Sequence, residues 1–158
     1  MPKLLVVMLA GVMLLMASRA DAVPQQASGS FQVTGFALTA PPRQHGNSCT
    51  IEAVVTFAFQ GTLVGSFTAN MTIRHRGSCE QPGPEAFRAT GTYTGTVAGV
   101  PGSFDFTFQG HIDSSGNARG ELAIQRGTGN LADLHGKLTL EGQGGVGGSY
   151  EGFVNFAP

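Results

Sequence analysis

From about residue 30 onward, apolar and polar side chains alternate along most of the chain, and that period limits what it can fold into. Leu63, Gly65, Phe67, Ala69, Met71 and Ile73 fall on one face of a run, with Ser66, Thr68, Asn70, Thr72 and Arg74 on the other. Successive side chains of a strand point to opposite sides of a sheet, so this pattern describes a strand buried on one face. Ile51, Ala53, Val55, Phe57 and Phe59 alternate in the same way, and Gln60-Gly61-Thr62 supplies a tight turn between the two runs. Further strands are expected over Phe31–Leu38, where Gly35 shifts the apolar parity and marks a bulge, and over Phe87–Val97 and Phe104–Ile112. The last three contain Leu122 and Ile124, then Leu138 and Leu140, then Tyr150, Val154 and Phe156. Asp113-Ser114-Ser115-Gly116-Asn117 is dense in turn formers. The one helical expectation is about a turn around Asn130 to Leu134, and the longest loops are residues 39–48 and 78–86.

Eight strands joined mostly by short turns predict an all-β fold, an eight-stranded antiparallel up-and-down barrel. Closure would remove the two exposed edges that otherwise invite aggregation. A sandwich of the same strands is the competing architecture. The abundance of Gly, Thr, Ser and Phe, with Lys137 the only lysine after Lys3, favours strands and tight turns over helices.

The start of the chain reads as targeting. Lys3 precedes the uncharged apolar run Leu4 to Met16, and Ala20-Asp21-Ala22 places small residues where a signal peptidase cuts. The run is shorter than the ~20 residues that span a bilayer, and no later segment is apolar enough to cross one. Residues 1–22 are therefore expected to be a signal peptide and residues 23–158 a single barrel domain, secreted or periplasmic. Removing Lys3, Arg19 and Asp21 from 9 basic and 10 acidic residues leaves seven and nine, a net charge of about −2. That balance argues against nucleic acid or anionic lipid as a partner. Cys49 and Cys79 flank two adjacent strands, and an oxidising compartment favours a disulfide between them. The bridge would close a loop of about 31 residues, worth roughly 3–4 kcal/mol in the chain-entropy account.

Motifs that would signal catalysis are weak. Gly127-Thr128-Gly129-Asn130-Leu131-Ala132 has the spacing of a dinucleotide fingerprint, but the next alternating strand follows too soon for a helix facing a pyrophosphate. No cofactor is expected. The four histidines, His45, His75, His111 and His135, form no close set of three or four ligands, so no metal site is expected. No serine lies in a Gly-x-Ser-x-Gly context, and the carboxylates are dispersed. Asn70-Met71-Thr72 fits a glycosylation acceptor but lies mid-strand.

The phenylalanines are more informative. Phe57, Phe59, Phe67, Phe106 and Phe108, with Met71, would line the interior of a barrel just wide enough to pack solid or hold one small ligand. If a pocket opens at one end, His75 or Arg126 could orient a bound molecule. Those eight residues are the candidate ligand-binding set, and no catalytic residue is assigned.

The stretches Gly91-Thr-Tyr-Thr-Gly95-Thr-Val, Gly102-Ser-Phe-Asp-Phe106, Gly127-Thr-Gly129-Asn-Leu-Ala-Asp-Leu-His-Gly136 and Gly148-Ser-Tyr150-Glu-Gly152 resemble an uncharacterised bacterial family of small proteins with an allene-oxide-cyclase-like barrel. The Gly-Thr-Gly turn followed by a short apolar segment also resembles plant dirigent proteins. The likeness covers roughly residues 87–156 and implies mainly fold. Similar barrels include cyclases that position an apolar intermediate and dirigent proteins that steer radical coupling, and they often form dimers or trimers. Three functions follow as expectations. The leading one is an exported barrel binding a small apolar molecule, with no established catalysis. The alternatives are a cyclase-like or dirigent-like enzyme, and a structural or interaction protein of the envelope with a filled barrel. A homo-oligomer is compatible with each.

Overall fold

The alternating runs form strands throughout. The computed structural model describes residues 23–81 and 83–156, and the expected signal peptide lies outside the described residues. The strands are β1 Gln25–Leu38, β2 Arg43–His45, β3 Ser48–Gly61, β4 Leu63–Arg76, β5 Glu85–Val97, β6 Val100–Ile112, β7 Asn117–Gly129, β8 His135–Gln143 and β9 Gly147–Asn155. From β2 on, each strand pairs antiparallel with the next. β1 pairs with β9 over Gln25–Gln32 and with β3 over Gly29–Leu38, which closes β1 and β3 to β9 into an eight-stranded barrel. β2 is a three-residue addition to the edge of β3, inside a stretch expected to be loop.

Closure follows from the pattern of side chains. Each long strand buries one parity, so that Phe57, Phe67, Tyr93, Phe104, Phe106, Leu122, Leu138 and Tyr150 all face a common interior. Two bulges reset the parity. In β1 the register shifts between Val33 and Gly35, where the sequence expects it. In β7 Ile124 pairs with Phe106 and Arg126 with Asp105, leaving Gln125 as the extra residue.

The two ends of the barrel differ. The β3–β4, β5–β6 and β7–β8 turns gather at one end, which is plugged. The stretch from Asn130 to Leu134 forms consecutive turns rather than the expected helical turn, with the Leu131 amide on the Thr128 carbonyl at 3.1 Å and the Leu134 amide on the Leu131 carbonyl at 3.0 Å. These turns drive Leu131 and Leu134 into the barrel end beside Leu63 and Val97, all essentially buried. A Cβ on Gly127 would overlap the Leu131 carbonyl, and one on Gly102 would lie 2.8 Å from the Leu131 side chain. Gly127, the first glycine of the run that mimics a dinucleotide fingerprint, thus leaves room for the plug. The β4–β5, β6–β7 and β8–β9 connections gather at the other end, where the barrel stays open.

Candidate functional site: the open end of the barrel

A cavity of about 630 Å³ occupies the open end. Phe31, Phe57, Met71, Ile73, Phe87 and Phe108 are among the apolar side chains forming its walls. It exists because residue size changes along the barrel axis. In the closed half, aromatic rings fill the section: Phe67 and Phe106 lie 4.4 Å apart by centroid and Phe59 and Phe67 5.0 Å, with Phe57 at the boundary 4.2 Å from Phe67. Tyr93 stacks on Phe104 at 4.6 Å below them. Toward the mouth, β7 contributes only Ala118 and Gly120 to the wall, and the β8–β9 turn only Gly144 and Gly145 beside Gln143. Small residues on that side leave the space unfilled.

The candidate ligand-binding residues divide by height. Phe57, Met71 and Phe108 line the cavity. Phe59, Phe67 and Phe106 are buried in the filled half beneath it. His75 is only 6 % exposed and sits on the inward parity at the mouth, paired across the strands with Cys49 and Glu85. Its Nδ1 lies 3.2 Å from the Arg76 carbonyl, which can only accept, so Nδ1 carries the proton in that contact. Arg126 lies toward the plugged end on the outer face, opposite Asp105, and both are exposed. Simple alternation from Leu122 and Ile124 aims Arg126 inward; the extra residue at Gln125 turns it out.

Sequence reasoning did not place Glu85 and Asp113 at the mouth, yet both contribute to the cavity lining. Glu85 stands two residues before the buried Phe87, so strand parity alone would have found it. Asp113 follows β6 and could be found only from the fold. Its carboxylate accepts the Ser115 amide at 2.8 Å, the Asn117 amide at 2.9 Å and the Asn117 Nδ2 at 3.0 Å. Those bonds, the Asn117 side chain first, hold it below the usual carboxylate range.

The mouth is braced on one side. Cys49 and Cys79 form a disulfide that ties the β4–β5 connection to β3. The Cys79 amide donates to Gln44 Oε1 at 2.9 Å, and Gln44 Nε2 donates to the Gly46 and Gly77 carbonyls at 2.7 and 3.1 Å. Gly83 and Pro84, which follow in that connection, and Glu85, the first residue of β5, reach the cavity. Among the described residues, no three His, Cys, Asp or Glu side chains converge as metal ligands would.

The sequence profile of a family described as "Protein of unknown function (DUF3224)" matches residues 27–151. A solved structure of a DUF3224-family protein of unknown function from Shewanella oneidensis MR-1 superposes with a TM-score of 0.69 at 21 % identity, covering 86 % of this chain and 100 % of that one. The likeness at that identity is one of fold. A comparison with curated proteins finds no match.

Proposed function

We propose that this chain, which belongs to the DUF3224 family, is an exported barrel that binds a small apolar molecule in its open end. The observation that carries the reading is the contrast between the two ends. One is stopped by Leu131 and Leu134, while the other holds about 630 Å³ bounded by phenylalanine, methionine and isoleucine. A volume of that size falls within the range of small-molecule sites, roughly 300–1,000 Å³. Selection for stability alone favours filling such a void, since unfilled apolar space costs about 24 cal/mol per Å³ in engineered cavities. The apolar run at residues 4–16 and the Cys49–Cys79 disulfide support the exported part of the proposal. The allene-oxide-cyclase-like subtype belongs to the same proposal, supported by the eight-stranded up-and-down closure.

Native mass spectrometry of the protein purified from its own source tests the reading. A co-purifying molecule lost on denaturation supports it and gives the ligand's mass. A bare chain that also fails to take up added 1-octanol overturns it, and returns the protein to a structural role.

A further inference from the structure

Resting on the reading of the open end as a binding site, we infer that the cavity selects apolar molecules bearing an amine and rejects those ending in a carboxylate. The chemistry of the lining carries this. Five phenylalanines reach the cavity: Phe31, Phe36, Phe57, Phe87 and Phe108. Aromatic faces are negative and attract cations. Among the described residues, the ionisable side chains in the lining are two carboxylates, Glu85 and Asp113, and no lysine or arginine joins them.

Those two carboxylates are not equivalent. Asp113 is engaged by its own turn, through Ser115 and Asn117. Glu85 lies on the inward parity of β5, between His75 and Ile112 in the cross-strand row, and no hydrogen bond or ion pair engages its carboxylate among the described residues. It is the group left to accept from a ligand's head. His75 beside it already spends Nδ1 on the Arg76 carbonyl.

The basic side chains around the mouth belong to the outer surface. Arg74 and Arg76 are exposed, at positions alternating with the inward Ile73 and His75, and Arg88 alternates with the inward Phe87. Arg43 is paired with Glu52 and Arg119 with Glu141. A carboxylate entering the mouth would leave water to face Glu85 with no compensating cation among the described lining residues. An ammonium would exchange part of its hydration for Glu85 and the ring faces, so the two heads are separated by opposite electrostatic terms.

Calorimetric titration of the purified full chain at pH 7 with n-octylamine, 1-octanol and octanoate, each below its aggregation concentration, tests the inference. The three share one apolar body and differ in the head. Octylamine is expected to bind at least about tenfold tighter than octanoate, with octanol between them; tenfold corresponds to about 1.4 kcal/mol. The Glu85→Gln variant, at a site engaged in no side-chain bond, is expected to bring octylamine to within about threefold of octanol. Octanoate binding as tightly as octylamine overturns the inference while leaving the cavity reading intact. An amine preference that survives Glu85→Gln overturns the role given to Glu85. Failure of all three to bind overturns both the inference and the reading beneath it.

Discussion

The Tyr150 hydroxyl accepts the Leu63 amide at 2.8 Å, joining residues 87 positions apart across the plugged end of the barrel. The same hydroxyl donates to the Gln60 carbonyl at 3.1 Å, so the β3–β4 turn hangs on one phenol from β9. A glycine makes room for it: a Cβ on Gly29 would lie 2.6 Å from the Tyr150 oxygen and would also overlap the Gln60 carbonyl. Tyr93 is seated in the same manner over Gly95, donating to the Thr96 carbonyl at 2.8 Å. Two phenols therefore close one end, and the cavity at the other end is the complement of that arrangement.

Tyr150→Phe keeps the ring and removes the oxygen, leaving the buried Leu63 amide without its acceptor. An unmet buried donor costs about 1–3 kcal/mol. Urea unfolding followed by far-UV circular dichroism should show a lower midpoint with an unchanged slope. A loss under ~0.5 kcal/mol would mean that water reaches the amide.

Alkali should unfold the protein through the same two residues. Burial raises the Tyr93 phenol well above its ordinary value near 10, assisted by the proximity of Tyr150, against the lowering effect of backbone hydrogen bonds. Burial raises Tyr150 as well, against the lowering bonds from Leu63 and Thr62. Above pH 10 the unfolded chain releases protons that the folded chain retains. Stability is therefore complete below about pH 10 and falls as pH rises toward the folded values. These are the protein's two tyrosines, so absorbance at 295 nm reports them alone. Their ionisation should coincide with loss of circular dichroism; ionisation near pH 10 in a folded barrel would contradict the burial.

Reducing the Cys49–Cys79 disulfide, or making the Cys49→Ala/Cys79→Ala double variant, removes a cross-link between residues 30 positions apart. The expected loss is about 3–4 kcal/mol, largely from the freedom regained by the unfolded chain. Thermal melts with and without reductant measure it. Because the bridge braces the mouth, octanol binding should weaken more in the reduced form than in an equally destabilised Tyr150→Phe barrel.

Stability and binding should separate along the barrel axis. Ala118 lines the open cavity, so Ala118→Phe should fill it and weaken octanol binding at least about tenfold, with a stability change within ~1.5 kcal/mol. Phe106 is 1 % exposed in the filled half, and Phe106→Ala should cost about 3–5 kcal/mol. Titration and melting of the two variants together decide the matter. Equal binding by Ala118→Phe and the parent chain would place the ligand elsewhere.

Period-two alternation alone was enough to define the strands from Ile51 to Val97 and the parity that buries Phe57, Phe67 and Tyr93, because a strand's side-chain period is fixed by its backbone. Gly35 announced its bulge, and the spacing of the turns foretold an up-and-down order. What the alternation cannot encode is which interior positions meet at the same height, because that depends on the stagger of strands far apart in sequence. The tertiary structure alone decided that Phe59, Phe67 and Phe106 fill one half while Phe57, Met71 and Phe108 border a void. It decided that one added residue at Gln125 turns Arg126 outward, and that Glu85 and Asp113, 28 positions apart in the chain, reach the same mouth. Local periodicity sets the face a residue takes; the closure of β1 onto both β9 and β3 sets its neighbours, and the site is made of neighbours.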